Sequence, residues 1–453
     1  MSVQGTLEDE ALDEIRALIR IPSVNTGEAA TIGDGEARAA RYVQERLEEA
    51  GYETHYVEPA LGRGSVVARL AGRDPDAGAL VVHAHLDVVP VEEAEWTHPP
   101  FGAEIHDGVL YGRGAVDMKN FAGTVLAVAR AFARDGVRPR RDLIFAFFAD
   151  EEAGGVWGAR WLVENRPELF AGATEALGEV GGFSVPLGGD RRGYLVATAE
   201  KGVATATLVA TGRGGHGSRP TPGNAVVALA RAVGAVDALR FELVRSPGLE
   251  AFLAAVPGGG EPAALTEEAA AAATSAGMRT ADDLQTRLAR LGTAGRLVTD
   301  GARTTATPTV LAAGAKPNVI PSRAVARVDV RVLPGEYESV QRTLAEAVGR
   351  DIAVEWSELI PPIESPLDSP LLAVLERAVS AEDPGARILP FQLPASTDNK
   401  HLARLGIRGY GFVPLRVPDE FDAFGLFHAA DECVPVDALA FLARVTERVL
   451  REA

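Results

Sequence analysis

The chain has 453 residues, 47% hydrophobic and 24% charged, with one cysteine and a formal net charge of −18. This is a globular composition long enough for two domains, and its acidity argues against nucleic acid or anionic lipid as a partner. A lone Cys433 excludes an intrachain disulfide and a thiolate metal cage, so any metal falls to His, Asp and Glu.

The opening MSVQGTLEDEALDEIRALIR lacks a basic segment followed by an apolar one, and no apolar run is long enough for a bilayer. The expectation is a cytoplasmic protein that does not engage membranes. Helical spacing then covers Glu8–Arg20 and Gly35–Ala50, the second stopped by Gly51. Short β-type runs follow at Ser65–Leu70, Ala79–Val89, Leu143–Ala149 and Leu195–Ala199, with helices at Val116–Arg134 and Val156–Asn165 between them. Such alternation predicts an α/β layered domain with its functional groups at strand ends and in the loops that follow.

After Glu200 the rhythm changes. A strand at Val203–Thr211, a helix at Asn224–Leu239, strands at Thr309–Gly314 and Ala324–Leu333, a helix at Tyr337–Arg350 and a strand at Ile352–Trp356 give the order of a ferredoxin-like unit. The stretch 240–305 interrupts it; Glu267–Ala276 is Ala-rich and reads as helix, and the whole is expected to be an insertion in this second domain. From about Pro361 the α/β pattern returns, with helices at Pro370–Ala381, Asp398–Leu405 and Asp437–Glu452 and strands at Ile388–Gln392 and Gly409–Val413. The resulting organisation is one α/β domain from both chain ends, 1–199 and 359–453, with a smaller domain at 200–358 inserted.

Of the eight histidines, His55, His98 and His106 read as surface or loop residues, whereas His83, His85, His216, His401 and His428 lie beside Gly, Asp or Glu at loop edges. In VVHAHLDVVP, period-two alternation puts His83, His85 and Asp87 on one strand face, so either histidine can face a metal. Acidic groups recur at predicted strand ends and helix starts: His85/Asp87, Asp117, Asp150-Glu151-Glu152, Glu179, and finally His428 with Asp431 and Glu432. Taken singly, Asp117 reads first as a helix N-cap, and Asp150-Glu151-Glu152 first as a complement to a helix dipole. Together they repel unless a cation neutralises them, and a His/Asp/Glu set without Cys suits Zn²⁺, Mn²⁺ or Co²⁺.

The ordered motifs HAHLDVVP, GRGAVDMKN, ADEEAGG, GEVGG, GGHGSRP, KPNVIPSRAVARVDVRVLPG, STDNKHL and FHAADE resemble the M20 family of metallopeptidases across nearly the whole chain. That family comprises co-catalytic zinc amidohydrolases such as aminoacylases, acetylornithine and succinyl-diaminopimelate deacylases and carboxypeptidases. The resemblance implies a zinc-exopeptidase-like α/β catalytic domain with a ferredoxin-like lid or dimerisation domain, and a homodimer. It implies His85 and Glu179 on one metal, Glu152 and His428 on the other, and Asp117 bridging both, which selects His85 over His83. Glu151 then matches the general base and Asp87 the carboxylate that orients His85. The Asp117–Met118 peptide is expected to be cis, as is common in the family.

Two divalent ions set against Asp117, Glu152 and Glu179 leave one positive charge, which favours a bound hydroxide whose proton Glu151 takes. His216 matches an oxyanion stabiliser that often serves the partner subunit's site. Asn318 and Arg331 match substrate contacts, the Arg through a carboxylate. Two positions depart from the pattern: PASTD at Pro394–Asp398 and Asn120, both where glycine is usual. The expected function is amide or peptide bond cleavage in a small N-acyl amino acid or dipeptide, with two divalent ions, Zn²⁺ first and Co²⁺ or Mn²⁺ as alternatives. A binuclear phosphoesterase and a catalytically inactive binding protein are the competing readings.

Overall fold

The structure, a computed structural model, describes residues 5–28, 31–219, 221–256, 288–289 and 291–453. The first helix, Leu7–Ile19, is fixed at its start by a reciprocal cap: the Thr6 side chain accepts from the Asp9 N–H, and the Asp9 carboxylate accepts from the Thr6 N–H.

The main sheet runs Thr54–Val57, Ser65–Leu70, Leu143–Phe148, Ala79–His85, Ala173–Gly178, Arg408–Gly411, Arg192–Glu200 and Ile363–Glu364 in spatial order. Strands Arg387–Leu393 and Gly181–Pro186 also pair with Arg192–Glu200. At its centre, Leu143–Phe148, Ala79–His85 and Ala173–Gly178 are parallel, so their carboxyl ends open along one edge. The first two are buried at every position, as strands covered on both faces must be. Leu80, Val82 and Ala84 face a core shared with helices Leu7–Ile19, Lys119–Arg134 and Val436–Glu452. Val81, Ile144 and Ala146 face the opposite core with Leu162, Val163 and Phe170.

A second sheet draws its strands from the middle of the chain. Its spatial order is Thr305–Ala313, Arg323–Val332, Gly202–Thr211 and Ile352–Trp356, every neighbour antiparallel. With helices Ala225–Asp237 and Tyr337–Val348 this is the ferredoxin-like arrangement. Burial alternates along its central strands, and Leu208, Leu229, Val328, Val330, Val340 and Leu344 form a core of its own.

Several elements differ from the sequence-based expectation. Strand Ala79–His85 stops at His85, so Asp87 belongs to the following loop and not to the strand face. The helix expected from Val116 starts at Lys119, leaving Asp117 in the turn before it. Strand Ala173–Gly178, which delivers Glu179, has no clear β-type signal because its run is short and carries Thr174 and Glu175 near its start. The expected helix at Glu267–Ala276 lies outside the described residues. The described ends of the 240–305 insertion are helices Pro247–Ala255 and Gly292–Gly301. Their Leu249, Phe252, Leu253, Leu297 and Val298 join the main core and not that of the second sheet, a correction to the expectation. Their apolar faces find the sheet at Arg387–Leu393, where a Cβ on Gly301 would meet Gln392 O.

Phe145 is fully buried in the main core, edge-on to Tyr52 at 6.0 Å. Phe145→Ala is expected to cost about 3–5 kcal/mol in a urea titration, the range for deleting a buried aromatic ring; a loss under about 1 kcal/mol contradicts this packing.

Candidate metal centre

Three adjacent parallel strands deliver three parts of the site. His85 is the last residue of its strand, Glu179 follows Gly178 directly, and Glu151 and Glu152 follow the strand that ends at Phe148. Asp117 comes from the turn before helix Lys119–Arg134, and His428 from the loop after the short turn Phe424–Leu426. The Asp117–Met118 peptide is cis, and so is Glu179–Val180, which the sequence did not signal.

The donor atoms converge in two halves. His85 Nε2 lies 3.0 Å from Asp117 Oδ1 and 3.3 Å from Glu179 Oε2. His428 Nε2 lies 3.2 Å from Asp117 Oδ2 and 3.2 Å from Glu152 Oε2. Asp117 therefore turns one oxygen to each half. Glu151 stands close to the first half: with His85 and Glu179 it offers ligand atoms within 4.8 Å of one another. Glu152 Oε1 is buried and has no hydrogen-bonding partner among the described residues.

Charge is crowded here. Burial, and then the charge of Asp117, push Glu152 up to about 8. Burial drives Glu179 well above the usual carboxylate range despite the neighbouring His85. Burial acts upward on Asp117 too, but hydrogen bonds from His428 and His85 outweigh it and hold Asp117 low. A carboxylate set that resists full ionisation, beside two imidazoles with nitrogens facing it, fits divalent cations, which reverse that penalty. The donor set thus fits two metal ions on either side of Asp117.

The family model for Peptidase family M20/M25/M40 matches residues 81–452. The chain belongs to this peptidase family. It is 26% identical over 445 residues to the N-fatty-acyl-amino acid synthase/hydrolase PM20D1 of Xenopus tropicalis, covering 96% of this chain and 84% of that protein. It is 27% identical over 390 residues to aminoacylase-1 of Homo sapiens, covering 83% and 81%. Its fold is similar to that of the M20 family metallo-carboxypeptidase Sso-CP2 of Sulfolobus solfataricus, with a TM-score of 0.69 at 20% identity, covering 98% and 99%. As an M20 peptidase the chain is a hydrolase of the expected class. Among its described residues no helix is long and apolar enough to cross a membrane.

The polar layer around this M20 site includes Asn25, Arg63 and Glu36, which no motif contains, and gives Asp87, Glu432 and Lys400 contacts that their motifs do not show. The Asp87 carboxylate accepts from the Glu151 N–H at 3.1 Å, the Glu152 N–H at 3.0 Å and Asn25 Nδ2 at 2.8 Å. His85 Nδ1 meets the Asp87 carbonyl oxygen at 2.9 Å and its carboxylate only at 3.5 Å. Asp87 thus holds the Glu151–Glu152 backbone as firmly as it orients His85. Glu432 is fully buried and accepts from Arg113 Nη1, Gly114 N, Val116 N and Asp117 N at 2.7–3.0 Å, so it clamps the Asp117 turn. Lys400 Nζ reaches Glu151 Oε1 at 3.2 Å. Asn25, Arg63 and Glu36 brace Asp150, the residue before Glu151. Only contacts between segments far apart in sequence expose these roles.

Other expected residues fall outside the cluster. His83 is buried, bonds Asn399 Oδ1 at 2.9 Å, and is lowered by burial to about 4. His216 is exposed, with Ser218 Oγ 2.8 Å from its Nδ1. It lies on a ribbon that pairs Gly215–His216 with Val319–Ile320, next to Asn318, whose carbonyl accepts from Gly217 N at 2.8 Å. Arg331 donates two bonds to Asp329, at 2.7 and 3.0 Å. No hydrogen bond or ion pair among the described residues joins these three to the metal cluster.

His401 is a separate pH-sensitive element. Its Nε2 bonds Gly154 O at 3.0 Å, and burial, then Lys400, lower it from 6.5 to about 3. Because the unfolded chain takes this proton first, its stabilising effect is complete above pH 6.5 and is lost as pH falls toward about 3. His401→Gln, which can keep the bond to Gly154, is expected to lose less stability than wild type between about pH 7 and about pH 4.5 in urea titrations. Equal losses in both proteins count against this assignment.

Proposed function

We propose that this M20 peptidase hydrolyses the amide bond of a small N-acyl amino acid or dipeptide at a two-metal centre, most naturally zinc. In this reading His85 and Glu179 would hold one ion and Glu152 and His428 the other, with Asp117 shared between them. The observation that carries it is Asp117 itself, with Oδ1 facing His85 and Oδ2 facing His428. When bound, two such ions supply Lewis acidity toward the scissile carbonyl and the attacking water. The names of the relatives, a fatty-acyl-amino acid hydrolase and an aminoacylase, favour an acylated amino acid.

The chain's own residues divide the remaining work. Glu151 takes the proton of the attacking water and hands it to the leaving nitrogen. Its backbone N–H is fixed by Asp87, and its carboxylate is held by Lys400, so the base is oriented before substrate arrives. His216 and Asn318, side by side on one ribbon, bind the developing oxyanion and the substrate. Arg331 exchanges its pairing with Asp329 for the substrate carboxylate, to which a guanidinium fork is matched.

Residues 1–199 with 359–453 form the catalytic domain, onto which helices Pro247–Ala255 and Gly292–Gly301 pack, and the rest of 200–358 forms the lid, which also pairs two copies into a homodimer. Support for pairing comes from Val226 and Val227, exposed on one helix, and from Val310 and Leu311, exposed on edge strand Thr305–Ala313. A free apolar edge of this kind invites a second strand. An exposed His216 is then free to serve the partner's centre. The cytoplasm is the compartment that suits this chain with its single unpaired cysteine.

Glu151→Gln is expected to retain both metals while kcat falls by about 10²–10⁴, the usual share of a general base; near-normal turnover contradicts that role. For Arg331→Ala, KM for substrates ending in a carboxylate should rise while kcat changes little. An unchanged KM in steady-state assays would remove Arg331 from substrate binding.

A further inference from the structure

A second group of metal-competent side chains lies apart from the catalytic cluster, on a small sheet of Glu104–His106, Val109–Tyr111 and Cys433–Pro435. Glu104 and His106 are two residues apart on one strand and project from the same face. His106 Nε2 lies 2.8 Å from Glu104 Oε2. His98, from the preceding loop, stacks on His106 with 3.9 Å between ring centroids and an interplanar angle of 15°. Tyr111 sits beside it at 4.4 Å. One ligand atom from each of His98, Glu104 and His106 falls within 4.8 Å of the other two.

Core packing does not account for this cluster, because the Glu104 and His106 side chains are 45% and 42% exposed. An exposed ion pair also contributes little to stability. The backbone that presents the three residues is nevertheless fixed. Thr97 N and Oγ1 donate to the Asp431 carboxylate at 2.8 and 2.6 Å, which pins His98 over the sheet. Asp431 follows His428 by three residues, so the loop that carries His98 is tied to the loop that carries His428.

We propose that His98, Glu104 and His106 form a third metal site, open to solvent, for a borderline divalent cation, with Zn²⁺ the best match. Two imidazoles and one carboxylate make a protein ligand set used for zinc with an open position. Hard cations such as Ca²⁺ and Mg²⁺ instead favour oxygen-only sites. For an ion to sit about 2.0–2.2 Å from each donor, Glu104 and His106 must part and the His98 ring must turn out of its stack, so that both imidazoles aim a nitrogen lone pair at the ion. A net charge of −18 raises the local concentration of any cation. None of the three residues is used by the catalytic cluster, so this site stands or falls independently of that centre.

The test compares metal-free wild type with His98→Ala/His106→Ala, each titrated with Zn²⁺ alone and counted for bound zinc after gel filtration. The variant is expected to hold one equivalent fewer while retaining the wild-type rate once its catalytic centre is loaded. Glu104→Gln, which changes one exposed side chain, should lose the same equivalent at a lower chelator concentration, and it keeps the test valid if the double variant folds poorly. Equal zinc counts in wild type and both variants overturn the proposal. Because the readout is a difference, it does so whatever number of ions the catalytic centre itself holds.

Discussion

Four largely buried carboxylates held together repel one another, and a layer of buried hydrogen bonds serves to keep them there. The side chains of Asp117, Glu151, Glu152 and Glu179 are each at most 12% exposed and surround two imidazoles. Without positive charge between them, burial drives protons onto Glu152 and Glu179. Two divalent ions would remove that penalty, and the crowded acidic cluster would then serve as a ligand set. The fold therefore prepares a site whose electrostatics are completed by what it binds.

Rigidity comes from carboxylates that face away from the centre. Asp87 and Glu432 spend their oxygens on backbone N–H groups, one fixing the start of the Glu151–Glu152 turn and the other the Asp117 turn. Such charge-assisted bonds are short and directional, and both acceptors are fully buried. The parallel strands set the coarse position of His85, Glu151, Glu152 and Glu179, and these clamps set the fine one. His216, Asn318 and Arg331 ride instead on the second sheet, whose core is separate from the main one. The acidic cluster and the ribbon and strand that carry His216, Asn318 and Arg331 thus belong to two differently supported bodies.

The sequence disclosed the layered architecture because its periodicities are local. Continuous apolar strands such as LIFAFF and the alternating ARVDVRV each report their own burial pattern. The five cluster residues were legible through their motifs, since GRGAVDMKN, ADEEAGG and FHAADE each carry a carboxylate or histidine in recognisable surroundings. Periodicity alone was ambiguous at His83 and His85, and the structure resolves it through Asn399, 316 residues away, which engages His83. What stayed hidden was every role that depends on long-range pairing. Glu432 reads as a second acidic residue beside His428 until its four donors from residues 113–117 are seen. Lys400 reads as an ordinary helix lysine until Glu151 is found beside it. The pairing of His98 with Glu104 and His106 arises because a loop folds back over a three-residue strand too short to announce itself.

The central claim is that Asp117 is shared between two ions. The most direct measurement is anomalous X-ray scattering at the zinc edge from crystals of the zinc-loaded protein. Two peaks flanking the Asp117 carboxylate are expected, about 3.5–4 Å apart, one beside His85 and Glu179 and the other beside Glu152 and His428. A single peak in the cluster, or a pair that Asp117 does not bridge, would contradict it.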